Sequence, residues 1–141
     1  MSQKERGPKL FTVEEANQLL PRVQEILHQL RRQRDEIRKL EQKKAVEELS
    51  WLREDGTVSP KAQREVARFE KRMEETARSF EAQIQELNTL GAQLKDLEEG
   101  LVDFFTARGD TLVCLCWKDG EQKIRYWHDL ESGFAGRRSL E

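Results

Sequence analysis

Apolar residues recur along most of the chain at alternating steps of three and four. Such a stripe lies on one face of an α-helix and forms the seam of a coiled coil. The spacing therefore predicts two long helices, in which Arg34 is a basic interruption of the first seam. The seam positions are Val23, Leu27, Leu30, Arg34 and Ile37 in the first helix, and Val66, Phe69, Met73, Ala77, Phe80, Ile84, Leu87, Leu90, Leu94 and Leu97 in the second.

Start and stop signals divide this helical region. Thr12 and Glu15 have the spacing of a capping box, which begins a helix. Pro21 lacks an N–H group and clashes with the preceding turn, so it is expected to kink or break the helix, with a break the favoured outcome. Asp55-Gly56 marks a turn between two long helices, and a short connection makes them antiparallel. The predicted segments are a flexible arm at 1–10, a short helix at 11–20, a long helix at 21–54, a tip turn at 55–60 and a long helix at 61–99.

After Gly100 the pattern becomes that of β-strands, which predicts a three-stranded antiparallel β-meander at 101–128 and an irregular tail at 129–141. Asp119-Gly120 is a two-residue hairpin signal. That turn would place Leu115 opposite Ile124, and Thr111 opposite His128. A small sheet cannot stand alone, so we expect it to pack at the open end of the helical hairpin. The predicted fold class is α+β, mainly α.

Composition narrows the choice of function and location. Charged residues make up 37% of the chain and the formal net charge is -2, so no global field attracts nucleic acid. Because residues 31–44 form a basic run, nucleic-acid binding is an alternative function, and the affinity of such binding would fall steeply as the salt concentration rises. No apolar stretch is long enough for a membrane span, and residues 1–10 do not resemble a signal peptide. A cytoplasmic location without membrane attachment is predicted.

Candidate chemistry concentrates in the C-terminal third. Asp96, Asp103, His128 and Arg137 are candidate catalytic residues, because a histidine near a carboxylate is the minimum for acid–base chemistry. Asp96, Asp103 and His128 are also weak candidates for a metal site. The alternative is a structural cluster of hydrogen-bonded polar side chains that fixes the sheet on the helices.

The two cysteines offer a further set of metal ligands. Cys114 and Cys116 lie two residues apart, on one face of a strand, where a disulfide between them is strained. Together with His128 they would supply three zinc ligands. The predicted register puts His128 on the opposite face of the sheet, which argues against a metal there. No phosphate-binding loop is present, and no cofactor is predicted.

Several residues are candidates for an interaction surface, because large apolar side chains outside the seams often contact partners. The leading hypothesis is an interaction or assembly protein, most simply a symmetric homodimer, with an unidentified protein partner as the alternative. Acidic residues at the hairpin tip, Glu54 and Asp55, also allow an RNA-polymerase-associated hairpin factor. The predicted surface residues are Leu19, Ile26, Trp51, Arg125 and Trp127.

Four segments carry a family resemblance. Residues 11–21, 94–104, 115–117 and 126–137 together resemble the bacterial family catalogued as domain of unknown function 2203. The resemblance covers nearly the whole chain and implies a small cytoplasmic protein without an assigned activity. It directs attention to the first helix and the C-terminal third rather than to the hairpin tip. The matching positions are Asn17, Pro21, Lys95, Asp96, Asp103, Trp117, His128, Gly133, Phe134 and Arg137.

Overall fold

A computed structural model describes residues 9–141 except 52 and 54. Two long helices pack against each other and are followed by a five-stranded antiparallel sheet, which confirms the predicted α+β class. The elements are α1 (Val13–Leu49), α2 (Pro60–Leu90), β1 (Gln93–Asp96), β2 (Leu101–Arg108), β3 (Thr111–Lys118), β4 (Tyr126–His128), a 3-10 helix (Phe134–Gly136) and β5 (Arg138–Ser139).

The chain forms two compact units. The first unit contains the described residues up to 28 together with residues 85–141, and therefore includes the whole sheet. The second unit contains residues 29–84. Within the described residues, neither long helix has a segment that is both long and apolar enough to cross a membrane.

Helix α1 continues through Pro21, so the predicted break there is wrong. Ala16 precedes the proline and Val23 follows it, and both are fully buried. Burial of the apolar stripe on both sides offsets the single lost hydrogen bond and the ring clash, which cost about 3 kcal/mol. The capping box forms as predicted: the Glu15 N–H donates to Thr12 Oγ1 over 3.1 Å, and the Thr12 N–H donates to Glu15 Oε1 over 2.9 Å.

The second unit is a helical hairpin with its tip at residues 50–59. At the tip the Ser59 N–H donates to the Trp51 carbonyl over 2.6 Å. Asp55 accepts the Thr57 N–H over 2.9 Å, so its carboxylate stabilises the turn. Glu54, the other acid predicted at the tip, lies outside the described residues.

Helix α2 ends at Leu90, well before the predicted residue 99, and Gly91 explains why. Its φ is +90°, a left-handed conformation that favours glycine, and the Ala92 N–H donates to the Leu87 carbonyl over 3.0 Å. A Cβ atom built on Gly91 would lie 2.7 Å from Cζ of Phe11. The chain therefore leaves the helix here and forms β1 instead.

Each strand of the sheet pairs with its sequence neighbours, in the order β1-β2-β3-β4-β5. The structure thus adds two strands to the predicted meander. Strand β1 comes from residues expected in the second helix, and β5 comes from the tail expected to be irregular. Neither strand has more than four residues, which is too short for an alternating pattern to stand out.

The predicted register between β3 and β4 is wrong, because Cys114 rather than Thr111 lies opposite His128. The residues after Gly120 are bonded elsewhere instead of extending the hairpin. The Glu121 carbonyl accepts the Trp117 indole N–H over 2.9 Å. The Ile124 N–H donates to the side chain of Asn17 in α1 over 2.8 Å. The connection is therefore longer by an odd number of residues, which moves His128 to the other face of the sheet.

The two faces of the sheet differ in character. One face is apolar, and its members are 2% exposed or less. The ring of Phe11, which precedes α1, packs edge-on against Phe104 of this face, with ring centroids 5.3 Å apart. The opposite face is partly covered by the C-terminal tail and carries the buried polar residues described next. The apolar face consists of Val102, Phe104, Val113, Leu115 and Trp117.

Candidate metal centre

The second face of the sheet carries a buried cluster of three potential metal ligands. Asp103 comes from β2, Cys114 from β3 and His128 from the end of β4. Their carboxylate oxygen, sulfur and ring nitrogen all lie within 4.8 Å of one another. Asp103 and His128 are each 3% exposed, and Cys114 is 4% exposed. Three strands therefore bring three different ligand types to one buried point.

Hydrogen bonds fix the orientation of the His128 ring. Its Nδ1 lies 2.6 Å from the Asp129 carbonyl oxygen, which can only accept, so Nδ1 carries a proton and donates it. Its Nε2 lies 2.9 Å from Oδ2 of Asp103. A proton must lie between Nε2 and that carboxylate, on one group or the other. Nε2 is consequently the ring nitrogen that faces the cluster.

Neither thiol in the cluster region is activated. Both cysteines are free and buried. Burial, together with the negative charge of Asp103, raises the pKa of Cys114 to about 11, while the charge of Lys95 opposes the rise. Burial and Asp103 likewise raise the pKa of Cys116 to about 11. A catalytic cysteine has a lowered pKa and a histidine nitrogen turned toward it. Because both nitrogens of His128 face oxygen atoms, the arrangement does not support a Cys–His nucleophile.

Arg137 ties the tail to the sheet. Its guanidinium donates to Oε1 of Glu121 over 2.7 Å and to the Cys116 carbonyl over 3.2 Å. The same group stacks over the ring of Tyr126 at 4.1 Å and over that of Phe134 at 4.6 Å. Its hydrogen bonds go to the turn and the strand rather than to Asp103 or His128. Arg137 is thus a positioning residue that holds the tail across this face.

A cavity of about 310 Å³ opens beside the cluster. Asp103, Cys114 and His128 form one part of its wall. The remaining wall is mostly apolar, and two charged side chains also line it, Lys95 of β1 and Glu131 of the tail. A molecule bound in the cavity would contact both the cluster and these two charges. The apolar lining comes from Leu101, Phe105, Leu130 and Phe134.

The structure brings together two of the predicted site residues, Asp103 and His128, and leaves Asp96 apart. Asp96 is exposed, and its carboxylate accepts the Glu99 N–H over 2.9 Å in the turn between β1 and β2. Sequence reasoning excluded Cys114 from this site only because of the wrong register. The distance in sequence between Asn17 and Ile124, whose hydrogen bond shapes the connection, explains why no local signal revealed the true register.

The predicted surface residues fall in different environments. Ile26 is fully buried in the core, so its assignment to an interaction surface is wrong. It lies next to Leu27 on the broad apolar face of α1, wider than a strict coiled-coil seam. Leu19 is half-buried.

The remaining predicted surface residues lie at the tip and on the sheet. Trp51, at the tip, is half-buried. Trp127 is half-buried between two guanidinium groups, those of Arg108 at 4.4 Å and Arg138 at 5.1 Å from its ring centroid. Arg125 is exposed, and its side chain lines a groove with residues from α1.

Comparison with known proteins places the chain by family alone. No curated protein and no solved structure matches it significantly. The family of uncharacterized conserved proteins designated domain of unknown function 2203 matches residues 9–140. That range contains all the strands of the sheet and every member of the buried cluster. The chain therefore belongs to the domain of unknown function 2203 family.

Proposed function

We propose that this protein binds a divalent transition-metal ion, Zn²⁺ in the first place, through Asp103, Cys114 and His128. The observation that carries the proposal is the convergence of an oxygen, a sulfur and a nitrogen ligand within 4.8 Å at a buried point. Zn²⁺ accepts this donor set, and sites with three protein ligands leave a fourth position for water or substrate. The cavity beside the cluster gives access to that position.

The surroundings of the cluster fit a metal ion in two further respects. A histidine ligand usually donates its other ring N–H to a carbonyl or carboxylate, as Nδ1 of His128 does to Asp129. The Asp103 carboxylate and a Cys114 thiolate together carry two negative charges, which balance the charge of a divalent ion. An electroneutral centre avoids most of the desolvation cost that a buried net charge would carry.

A bound ion would give the cavity a reactive wall. When bound, zinc supplies a water ligand whose pKa lies near 7. The role of this chain's own residues is to hold the ion and to shape its surroundings. Asp103, Cys114 and His128 would hold the ion on the face shared by β2, β3 and β4, and the apolar walls would line the approach to it. Because a thiol ligand must be reduced, we infer that the protein works in a reducing compartment, which favours the cytoplasm.

The test is a titration of the reduced, metal-free protein with Co²⁺, a spectroscopic substitute for Zn²⁺. We expect tetrahedral d–d absorption together with a thiolate-to-cobalt charge-transfer band in the near ultraviolet. Cys114→Ser should remove the charge-transfer band, whereas the matched variant Cys116→Ser should keep it. Asp103→Asn and His128→Gln should each weaken metal binding by more than the roughly 10–100-fold that loss of an outer-shell partner costs.

Two outcomes would overturn the proposal. One is the absence of saturable Co²⁺ and Zn²⁺ binding by the wild-type protein. The other is an unchanged charge-transfer band in Cys114→Ser, which would assign the metal to another site. Circular dichroism of each variant separates loss of a ligand from loss of the fold. If the cluster serves only to hold the fold together through hydrogen bonds, Asp103→Asn will lower the free energy of unfolding by the same amount with and without added metal.

A second candidate function, self-assembly through the helical hairpin, rests on a separate observation. Val46 and Leu49 lie at the end of α1 and are 66% and 86% exposed. Val46 also lines a groove with Phe69 of α2. Exposed apolar side chains beside an apolar groove favour association, and we propose a second copy of the chain as the partner.

Sedimentation velocity over a range of protein concentrations tests the assembly. We expect a dimer that the double variant Val46→Glu/Leu49→Glu converts to monomer. Ala77→Glu, at an exposed position of α2, is the matched control and should leave the dimer intact. A single species of monomer mass at every concentration would contradict this second proposal and would leave the metal proposal unaffected.

A further inference from the structure

The cavity beside the cluster has a second feature that the metal proposal does not use. Lys95 and Glu131 line it from β1 and from the tail, respectively. Within the described part of the chain, neither the Lys95 ammonium nor the Glu131 carboxylate forms an ion pair, with each other or with any other group. Other charges next to this cavity region are paired, such as Arg137 with Glu121 at 2.7 Å and His128 with Asp103 at 2.9 Å. One residue with an unpaired positive charge and one with an unpaired negative charge therefore line the same cavity.

The rest of the wall is suited to an apolar body. Leu101, Phe105 and Phe134 line it, and Phe134 is 42% exposed. The volume of about 310 Å³ falls at the lower end of the range for small-molecule sites. A ligand that carries only a negative charge would meet repulsion from Glu131. A ligand that carries only a positive charge would meet repulsion from Lys95.

We infer that this cavity binds a small apolar α-amino acid as its zwitterion, with the ligand carboxylate on Lys95, the ligand ammonium on Glu131 and the side chain against the apolar wall. This assignment concerns the mouth and walls of the cavity and does not depend on a metal ion at the cluster. It combines the two unpaired charges with the apolar lining, and it predicts selectivity for molecules that carry both charges.

The experiment is an NMR titration of the ¹⁵N-labelled, reduced, full-length protein in the presence of a chelator. L-leucine is the zwitterionic probe, and 4-methylpentanoate and isoamylamine keep its branched body with only one of its charges. We expect saturable shifts with L-leucine, among them the amide signals of Gly133 and Lys95, and weaker binding of both single-charge analogues. Because both protein charges are exposed, each should contribute about two- to fivefold in affinity.

Variants that remove one charge at a time test whether Lys95 and Glu131 each bind the ligand group assigned to them. Lys95→Gln should weaken binding of L-leucine and 4-methylpentanoate but not of isoamylamine. Glu131→Gln should weaken binding of L-leucine and isoamylamine but not of 4-methylpentanoate. Lys123→Gln and Glu14→Gln are the matched controls, since both residues line a separate groove, and they should change nothing.

The inference is overturned if L-leucine causes no saturable shift, or if it binds no more tightly than its single-charge analogues. It is also overturned if Lys95→Gln and Glu131→Gln bind L-leucine as the wild type does. All four substitutions replace exposed side chains, so the ¹⁵N spectra should keep the wild-type pattern and report on binding alone. The chelator keeps the outcome separate from the Co²⁺ titration, so one proposal can fail while the other stands.

Discussion

Replacement of Gly91 by alanine should destabilise the first unit through two separable effects. The first is conformational, because Gly91 has a φ of +90°, where a Cβ atom is disfavoured by about 1–2 kcal/mol. The second is steric, because the new Cβ would lie 2.7 Å from Cζ and 2.9 Å from Cε2 of Phe11. Together we expect a loss of about 2–5 kcal/mol in the free energy of unfolding.

The steric part is expected to be large because the Phe11 ring cannot retreat easily. The residue is 5% exposed, and its ring packs against Phe104. Its backbone is also fixed on both sides: the Phe11 N–H donates to the Phe105 carbonyl over 2.8 Å, and its carbonyl accepts the Thr106 hydroxyl over 2.7 Å. A ring held in this way must be displaced together with its neighbours, which is the costly form of overpacking.

Urea denaturation followed by circular dichroism measures the effect, and Gly56 provides the control. Gly56 has a similar φ of +83°, but among the described residues other than its chain neighbours no atom lies within 4 Å of the position that a Cβ would take there. Gly56→Ala should therefore show the conformational cost alone, about 1–2 kcal/mol. The steric share of Gly91→Ala is the difference between the two variants.

A double-mutant cycle gives the result that would refute the reasoning. Phe11→Leu removes the two ring atoms that the new Cβ would approach. The double variant Gly91→Ala/Phe11→Leu should then be more stable than the sum of the single effects requires, by roughly 1 kcal/mol or more. Strict additivity, or equal losses for Gly91→Ala and Gly56→Ala, would show that the contact with Phe11 has no energetic weight.

Two further predictions concern the thiols and the capping box. Burial raises the pKa of Cys114 and of Cys116 from the ordinary 9.0 to about 11, so both stay protonated in the folded, metal-free protein. Their contribution to the free energy of unfolding is complete below pH 9 and should fall by about 1.4 kcal/mol per thiol and pH unit between pH 9 and about pH 11. Urea denaturation at a series of pH values measures this slope, and the control variant Cys114→Ala/Cys116→Ala should lack it. Thr12→Ala removes the hydroxyl that accepts the Glu15 N–H and should cost about 1 kcal/mol in the same assay, while Thr12→Ser should cost little.

Local signals accounted for the parts of the fold that depend on neighbouring residues. The helical seams predicted two long helices, and the Thr12 capping box marked where the first begins. The change of pattern after Gly100 predicted the antiparallel strands that the structure contains as β2, β3 and β4. Pro21 was the local signal that misled, because burial on both sides of it outweighs the break that proline favours.

The composition of the candidate site depended on contacts that no local pattern contains. Whether His128 lies beside Cys114 depends on the length of the connection after β3. That length is set by Glu121 and by Asn17 in α1, which bonds to Ile124 from more than a hundred positions away in sequence. An odd error in register reverses every side chain of a strand, so one missed contact concealed one ligand of the cluster.

The division of the chain into two units has a consequence for its synthesis on the ribosome. The second unit is one continuous segment, 29–84, and can form as soon as that segment emerges. The first unit joins the residues up to 28 to residues 85–141, so it cannot be completed until residues 85–141 have been synthesised. Val23 and Ile26 belong to the early segment of this unit, and both are fully buried in the finished fold. Until residues 85–141 have been synthesised, these apolar side chains lack the rest of their unit, and transiently exposed apolar surface of this kind is what chaperones bind.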